Sequence, residues 1–300
     1  MTTMTITEKR KYEGALGSFE YDPTEWEIKK IENKCRCYNK KTGNNEYVCS
    51  YSDTITYIGK ETNGDKITIP EGLVNCSGLF AYCKNLKTAP KIPEGVINCK
   101  GMFWDCKLLE TAPEIPEGVT DCSNMFAHCE NLIKAPVIPN GVKCCESMFY
   151  DCKKLETVPA ISKGVEDCSY MFDDCKNLKT APAIPKGAKN CSGMFFACHS
   201  LETPPEIPKG VVNCERMFKG CKNLKTAPKI PDSVKNCHEM FEDCKLLEKA
   251  PAIPKGVEDC SFMFSGCKNL KKAPTIPEGV PDYIKDFMFC GCYSLNRKKS

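Results

Sequence analysis

Histidine is scarce in this chain: three occur among 300 residues. His128, His199 and His238 stand far apart, so the sequence suggests no Cys–His or Ser–His pair for nucleophilic chemistry. No phosphate-cradling glycine loop and no dinucleotide fingerprint occur either. A strong charge of one sign is also missing. Lys and Arg number 42 against 39 Asp and Glu, a net of +3, which argues against a dedicated polyanion binder and against an acidic tail. No apolar run approaches the length of a membrane span. Lys9, Arg10 and Lys11 are followed by no apolar stretch, so no secretory signal is read. The expected address is therefore the cytoplasm, with export to the cell surface by an unrecognised route as the alternative. In the cytoplasm thiols stay reduced.

Cysteine, by contrast, is abundant, at 24 residues, and it is evenly spaced. One column runs Cys76, Cys99, Cys122 and on to Cys260; a second runs Cys83, Cys106, Cys129 and on to Cys267; the step is 23 residues throughout. Phe80 to Phe264, Leu86 to Leu270 and Ile69 to Ile276 keep the same step. The unit reads Ile-Pro-x-Gly-Val-x-Asn/Asp-Cys-x-x-Met-Phe-x-x-Cys-x-x-Leu-x-x-Ala-Pro-x. Nine copies fill Ile69 to Thr275, and a tenth, with two extra residues before Phe289, begins at Ile276. A strict period without insertions requires equivalent coils stacked in a solenoid, because so small a unit cannot close a core alone.

Pattern divides each unit. In Cys191, Met194, Phe195, Cys198 and Leu201 the apolar spacing predicts one face of a short helix. Asn190 and its counterparts, such as Asn98, Asp121 and Asp259, read as N-caps; Cys144 is the exception in that column. The Thr-Ala-Pro-x-Ile stretch predicts a short extended segment with a brief parallel ladder, since proline supplies no N–H. Ile-Pro-x-Gly fits a type I turn with Pro second and Gly fourth, broken in residue type but not register at Ser162 and Ser233. After the leucine, Lys and Glu alternate (Lys179, Glu202, Lys225, Glu248, Lys271), so stacked coils should neutralise one another along an exposed ladder.

The Met-Phe-x-x-Cys-x-x-Leu and Ile-Pro-x-Gly-Val motifs, repeated over residues 69 to 300, resemble the BspA-type, or treponemal-type, leucine-rich repeat. That unit also has 23 residues and reads Ala-Phe-x-x-Cys-x-x-Leu-x-x-Ile-x-Ile-Pro-x-x-Val. Two departures stand out: Met replaces the Ala, as at Met194, and one more residue separates the leucine from the isoleucine. The resemblance implies an α/β solenoid, a right-handed superhelix of short parallel strands and short convex helices, used for binding. Family members are often bacterial surface proteins that attach to host proteins or other cells. Residues 1–68 do not repeat; their β-branched and aromatic content predicts a small β cap on the first coil, with repeats over 69–275 and an atypical coil and cap over 276–300.

Cysteines seven apart on a helix lie about 10 Å apart by the helical rise, too far for one metal ion or one disulfide. The columns therefore read as small buried hydrophobes, and no cofactor is expected. Cys35, Cys37 and Cys49 lie outside the repeat and read as part of a hairpin core, a metal or redox site in the cap being the alternative. The lysines after the second cysteine, such as Lys84, Lys107 and Lys153, are interleaved with Asp105, Asp151 and Asp174, and read as a mixed solvated face; nucleic acid is not the expected partner. The position after the repeat Phe should point about 150° from the helix's apolar face, into solvent. There stand Trp104, Tyr150 and Phe196, with Tyr170 expected alongside. These rings are the candidate contact surface for a protein partner. The competing reading is that each ring folds over a smaller neighbour, Ala81, Ala127 or Asp173. The expected function is thus a non-enzymatic protein-binding scaffold, with a surface adhesin as the alternative.

Overall fold

The computed structural model describes residues 10–14, 17–21, 26–31, 34–39, 41, 44–49, 55–57, 59, 61–69 and 72–295. The first described elements form a hairpin, β1 (Arg10–Gly14) and β2 (Gly17–Tyr21). A four-stranded antiparallel meander follows: β3 (Trp26–Ile31), β4 (Lys34–Asn39), β5 (Asn44–Cys49) and β6 (Ile55–Tyr57). The end of β6 joins the first coil. The Tyr57 N–H donates to the Leu79 carbonyl at 2.6 Å, and its ring lies 5.1 Å from that of Phe80.

From there the chain is a stack of coils, and the coils are not helical. The only α-helix among the described residues is α1 (Asp282–Met288), in the atypical tenth coil. The expected convex helices are therefore a misreading. Two residues per coil hold a positive φ that no right-handed helix accepts: the second after the first cysteine and the one before the second cysteine. In the coil starting at Cys168 these are Tyr170 (φ 52) and Asp174 (φ 59). Each is third in a hydrogen-bonded turn. Met171 N–H donates to Cys168 O at 3.3 Å, and Cys175 N–H to Phe172 O at 3.1 Å, in the manner of type II turns.

The remaining amides leave the coil. Cys168, Tyr170, Phe172 and Asp174 donate to Asn190, Ser192, Met194 and Phe196 of the next coil at 2.7–2.9 Å. Backbone bonds thus alternate between the turn and the neighbouring coil, so no buried donor along this ribbon is left over. The Asn/Asp column does what a cap does, in a different setting. Its side-chain oxygen accepts the N–H two residues on (Ser77 from Asn75 at 2.9 Å, Ser192 from Asn190 at 3.1 Å), opening the turn ribbon instead of a helix.

The ribbon encloses a continuous core. Phe80 to Phe264 are fully buried and stack plane on plane at 5.4–5.7 Å, with Phe289 closing the column. Each such ring contributes roughly 1.5–3 kcal/mol by leaving water. The second cysteine column explains its own residue type. Its thiols, from Cys106 to Cys267, lie 3.0–3.2 Å from the Phe carbonyl of the preceding coil. A small apolar side chain with a weak donor fits a buried site that offers one spare lone pair.

The proline side carries even less ladder than expected. Instead of strands it has isolated parallel bridges, such as Thr88↔Thr111 and Thr180↔Thr203, one residue per coil. A second series joins the Asn/Asp column, as in Asn190↔Asn213. The turn there begins at Pro, one residue later than the sequence reading placed it: Val211 N–H donates to Pro208 O at 3.2 Å. Its glycine is third; at Gly141, Gly164 and Gly187 the reason for glycine is the coil below, whereas Gly95 and Gly279 hold a positive φ in open space. A Cβ on Gly187 would sit 2.6 Å from the Lys163 carbonyl.

Candidate functional site

The variable positions of the turn ribbon are the two after the first cysteine and the two after the phenylalanine; some are buried, such as Ser123, Ala127 and Ser169, and others, such as Trp104, are exposed. Across four successive coils, three of these positions hold aromatic rings. Trp104, Tyr150 and Tyr170 line one shallow groove together with Asn124, Ala127, His128, Ser147 and Asp173, enclosing about 330 Å³. Trp104 is 40% exposed, whereas Tyr150, Tyr170 and Phe196 are half-buried. Phe196 lies outside this groove, under the ammonium of Lys219 at 6.0 Å.

The rings are held by neighbours 22 or 23 residues away, in the adjoining coils. Trp104 packs against Tyr82 at 5.6 Å, and Tyr150 meets the His128 ring edge-on at 4.9 Å. Tyr170 lies across Gly193, where any Cβ would collide with its ring. Its hydroxyl meets Arg216, whose charge is taken up by Glu215 at 2.9 Å and Glu239 at 2.6 Å. Tyr170 thus covers a glycine, whereas Trp104 and Tyr150 pack against other rings, and a groove lies between them.

Charge in the groove is negative. His128 Nδ1 is 3.1 Å from Asp151 Oδ2, and Lys153 approaches the same carboxylate at 3.4 Å. Asp174 is paired with Lys176 at 3.0 Å. Asp173 has no hydrogen-bond or ionic partner for its carboxylate among the described residues. Burial first, then the neighbouring Asp174 and Asp151, push its pKa up to about 7. Burial first, then Asp173, Asp151 and Asp174, raises that of Tyr150. Ser147 shares the groove with the His128–Asp151 pair, but among the described residues no hydroxyl bonds the other ring nitrogen. The three do not form a nucleophilic relay.

Sequence reasoning named Trp104, Tyr150 and Tyr170 but missed His128, Asn124 and Ser147. It placed Asp173 only as a small neighbour beneath the rings. The shared 23-residue step could have found Asn124 and Ser147, which occupy Tyr170's place in the two preceding coils.

The lysine column behaves as a mixed face. Glu130 lies between Lys107 at 3.1 Å and Lys153 at 2.9 Å, and Lys84 approaches Asp105 at 3.8 Å. The expected Lys–Glu ladder appears as Lys225–Glu202 at 2.9 Å and Lys271–Glu248 at 2.7 Å, both exposed. The cysteine columns are chemically quiet: burial raises Cys76 and Cys191 to about 12, so their thiols stay protonated at neutral pH. Among the described residues no three His, Cys, Asp or Glu side chains converge as metal ligands. In the cap, Cys35 faces Cys49 across β4 and β5; their side chains lie outside the described residues. No helix among the described residues is long and apolar enough to cross a membrane.

On the proline side, two wider grooves of about 810 and 610 Å³ open where proline interrupts the ladder, the first along Pro204, Pro205, Pro208, Pro228 and Pro231, the second along Pro113, Pro136 and Pro139. Their walls are mostly the repeat's own Thr-Ala-Pro letters and so carry little that is particular to one place.

A stack of equivalent coils around a phenylalanine column, with variable side chains on its turns, defines a repeat solenoid. The chain belongs to the BspA type leucine-rich repeat family: that family's repeat region matches residues 53–179, 122–247 and 189–299, in six copies. Among solved structures the chain is similar to a leucine-rich repeat protein from Bacteroides ovatus ATCC 8483, at 17% identity and a TM-score of 0.42, over 90% of this chain and 91% of that one. It is also similar to a leucine rich cell surface protein from Faecalibacterium prausnitzii A2-165, at 19% identity and a TM-score of 0.37, over 90% and 93%. Comparison with curated proteins finds no match.

Proposed function

We propose that the protein is a non-enzymatic scaffold that binds another protein through the turn face between Trp104 and Tyr170, and that it works inside the cell. One observation carries the reading. Three aromatic rings, drawn from outward positions of different coils, surround a single open groove, although the core letters around them never vary. Exposed aromatics in a partly desolvated recess are the residues most often found to dominate interface energies. The protonated, buried thiols suit a reducing compartment.

The test is partner capture from the source organism with the wild type and with Trp104→Ser, Tyr150→Ser and Phe196→Ser, melting temperatures being measured alongside. Loss of one specific partner with the first two, at unchanged melting temperature, supports the reading; Phe196→Ser serves as the comparison outside the groove. A large fall in melting temperature with capture retained would make the rings packing between coils and nothing more. Protease added to intact cells tests the location: digestion would move the protein to the surface and favour an adhesin.

A further inference from the structure

We propose that the groove between Trp104, Tyr150 and Tyr170 receives an alkylammonium group, the side chain of a lysine on a partner protein, with its N–H groups on the Asp173 carboxylate and its stem along the rings. The inference rests on the protein-binding reading and specifies what the partner must bring.

The argument begins with Asp173's column. Its counterparts one phenylalanine-following position along are Ala81, Trp104, Ala127, Tyr150, Phe196, Lys219, Glu242 and Ser265. Two of these are charged, and they pair with each other: Lys219 and Glu242 are 2.8 Å apart. Lys219 also holds Glu239 at 2.7 Å. Asp173 is the exception, a half-buried carboxylate without a partner among the described residues. Its acidic neighbours are already engaged, Asp151 by His128 and Lys153, Asp174 by Lys176. A partly desolvated carboxylate left unpaired costs stability, and a cation seated beside it would supply the missing charge.

The surroundings select the kind of cation. Aromatic faces attract a cation placed over them, and Trp104, Tyr150 and Tyr170 supply three rings around one recess. About 330 Å³ is near the lower end of small-molecule sites, which suits one side chain better than a cofactor. The polar atoms on offer are the Asp173 carboxylate with Asn124 and Ser147, acceptors distributed around the groove. A compact ammonium with three rotatable donors can use separated acceptors, whereas a guanidinium's fixed fork matches a single carboxylate edge. The lysine stem is four methylenes long and packs against apolar surface while its head stays polar.

The test uses the full-length protein with ¹⁵N-labelled tryptophan. Trp26→Phe assigns the Trp104 indole signal. The probes are acetyl-Gly-Lys-Gly-amide and the same peptide with the lysine acetylated, trimethylated or replaced by arginine. The unmodified peptide should shift the Trp104 indole saturably, and acetylation should weaken it at least tenfold. Trimethylation, which keeps the charge but removes the N–H groups, and arginine should each weaken it several-fold. Asp173→Asn, which keeps the fold, should lower the affinity for the lysine peptide at least tenfold.

No indole shift at tens of millimolar peptide would overturn the proposal. So would equal binding of the acetylated peptide, unchanged binding by Asp173→Asn, or tighter binding of the arginine or trimethylated peptide. If the probes fail while Trp104→Ser still abolishes partner capture, the lysine specificity falls and the binding scaffold stands.

Discussion

Replacing Asp173 with asparagine should stabilise the protein, and only above a particular pH. The folded carboxyl titrates at about 7, against 3.8 for the ordinary group. Between about pH 4 and pH 7 the folded state therefore holds a proton that the unfolded chain has lost, so stability contributed by this group falls as pH rises through that window. Above it both states are ionised and the penalty is complete; below it both are protonated and no penalty remains. About 3 units at 1.36 kcal/mol each gives an upper bound near 4 kcal/mol, and partial solvent access reduces the expected value to about 2–3 kcal/mol. Asp151, Asp174, His128 and Tyr150 surround the site, so the wild type's own pH profile mixes several titrations; the difference between wild type and Asp173→Asn isolates this one. Urea unfolding followed by Trp104 fluorescence, with Trp26→Phe in both proteins compared, reports on the coils concerned. The variant should be more stable at pH 8 by the amount above, and the two proteins should converge below about pH 4.5. A difference that stays constant with pH, or a variant less stable than wild type at pH 8, would refute the reasoning, because the carboxylate would then be favourably paired.

Three further perturbations test the coil geometry. Ala197 has a φ of 51, so Ala197→Gly should raise stability by about 0.5–1 kcal/mol in thermal unfolding; a helical coil would instead lose about 1 kcal/mol. Two glycines of one column should differ. Gly164→Ala drives a Cβ to 2.7 Å from the Asn140 carbonyl and should cost about 1–3 kcal/mol, whereas Gly118→Ala meets nothing nearer than 3.4 Å and should cost less than about 0.5 kcal/mol. Cys175→Ala removes both a buried sulfur and its bond to the Phe149 carbonyl, and should cost about 1–2 kcal/mol; alkylation of the folded protein at pH 8 should mark exposed Cys290 well before the column thiols, which become reactive only on unfolding.

The 23-residue step made the solenoid legible, because the repeated Cys, Met, Phe and Leu letters are buried side chains stacked on their own copies. The coil's local conformation was misread for a physical reason. Apolar residues spaced three, one, three and three apart suit a helical face, yet they equally suit two linked turns that send the same side chains inward. The discriminating signal was in the sequence: Gly78, Gly101 and Gly193 at one left-handed position, and Gly220 and Gly266 at the other, with Asn124, Asp105, Asp151 and Asp174 as their alternates. Residues tolerant of positive φ recurring at two fixed places in many of the units argue against a helix, although Tyr170, Arg216, Glu239 and Phe262 hold the same conformation and blur that signal. The aromatic row was legible by the same step. The state of Asp173 was not, since its isolation depends on which charges pair across coils, and pairs such as His128–Asp151 and Lys219–Glu242 bring together residues about 23 positions apart with no local pattern to announce them.

The measurement that bears most directly on the proposed function is site-specific photo-crosslinking in cells of the source organism. A benzophenone amino acid placed at Tyr150 reports on the aromatic groove, and one at Lys209 reports on the larger proline-lined groove. The account predicts one discrete crosslinked partner from position 150, lost when Asp173→Asn is added, and none from position 209. A discrete partner from position 209 with none from position 150 would contradict it.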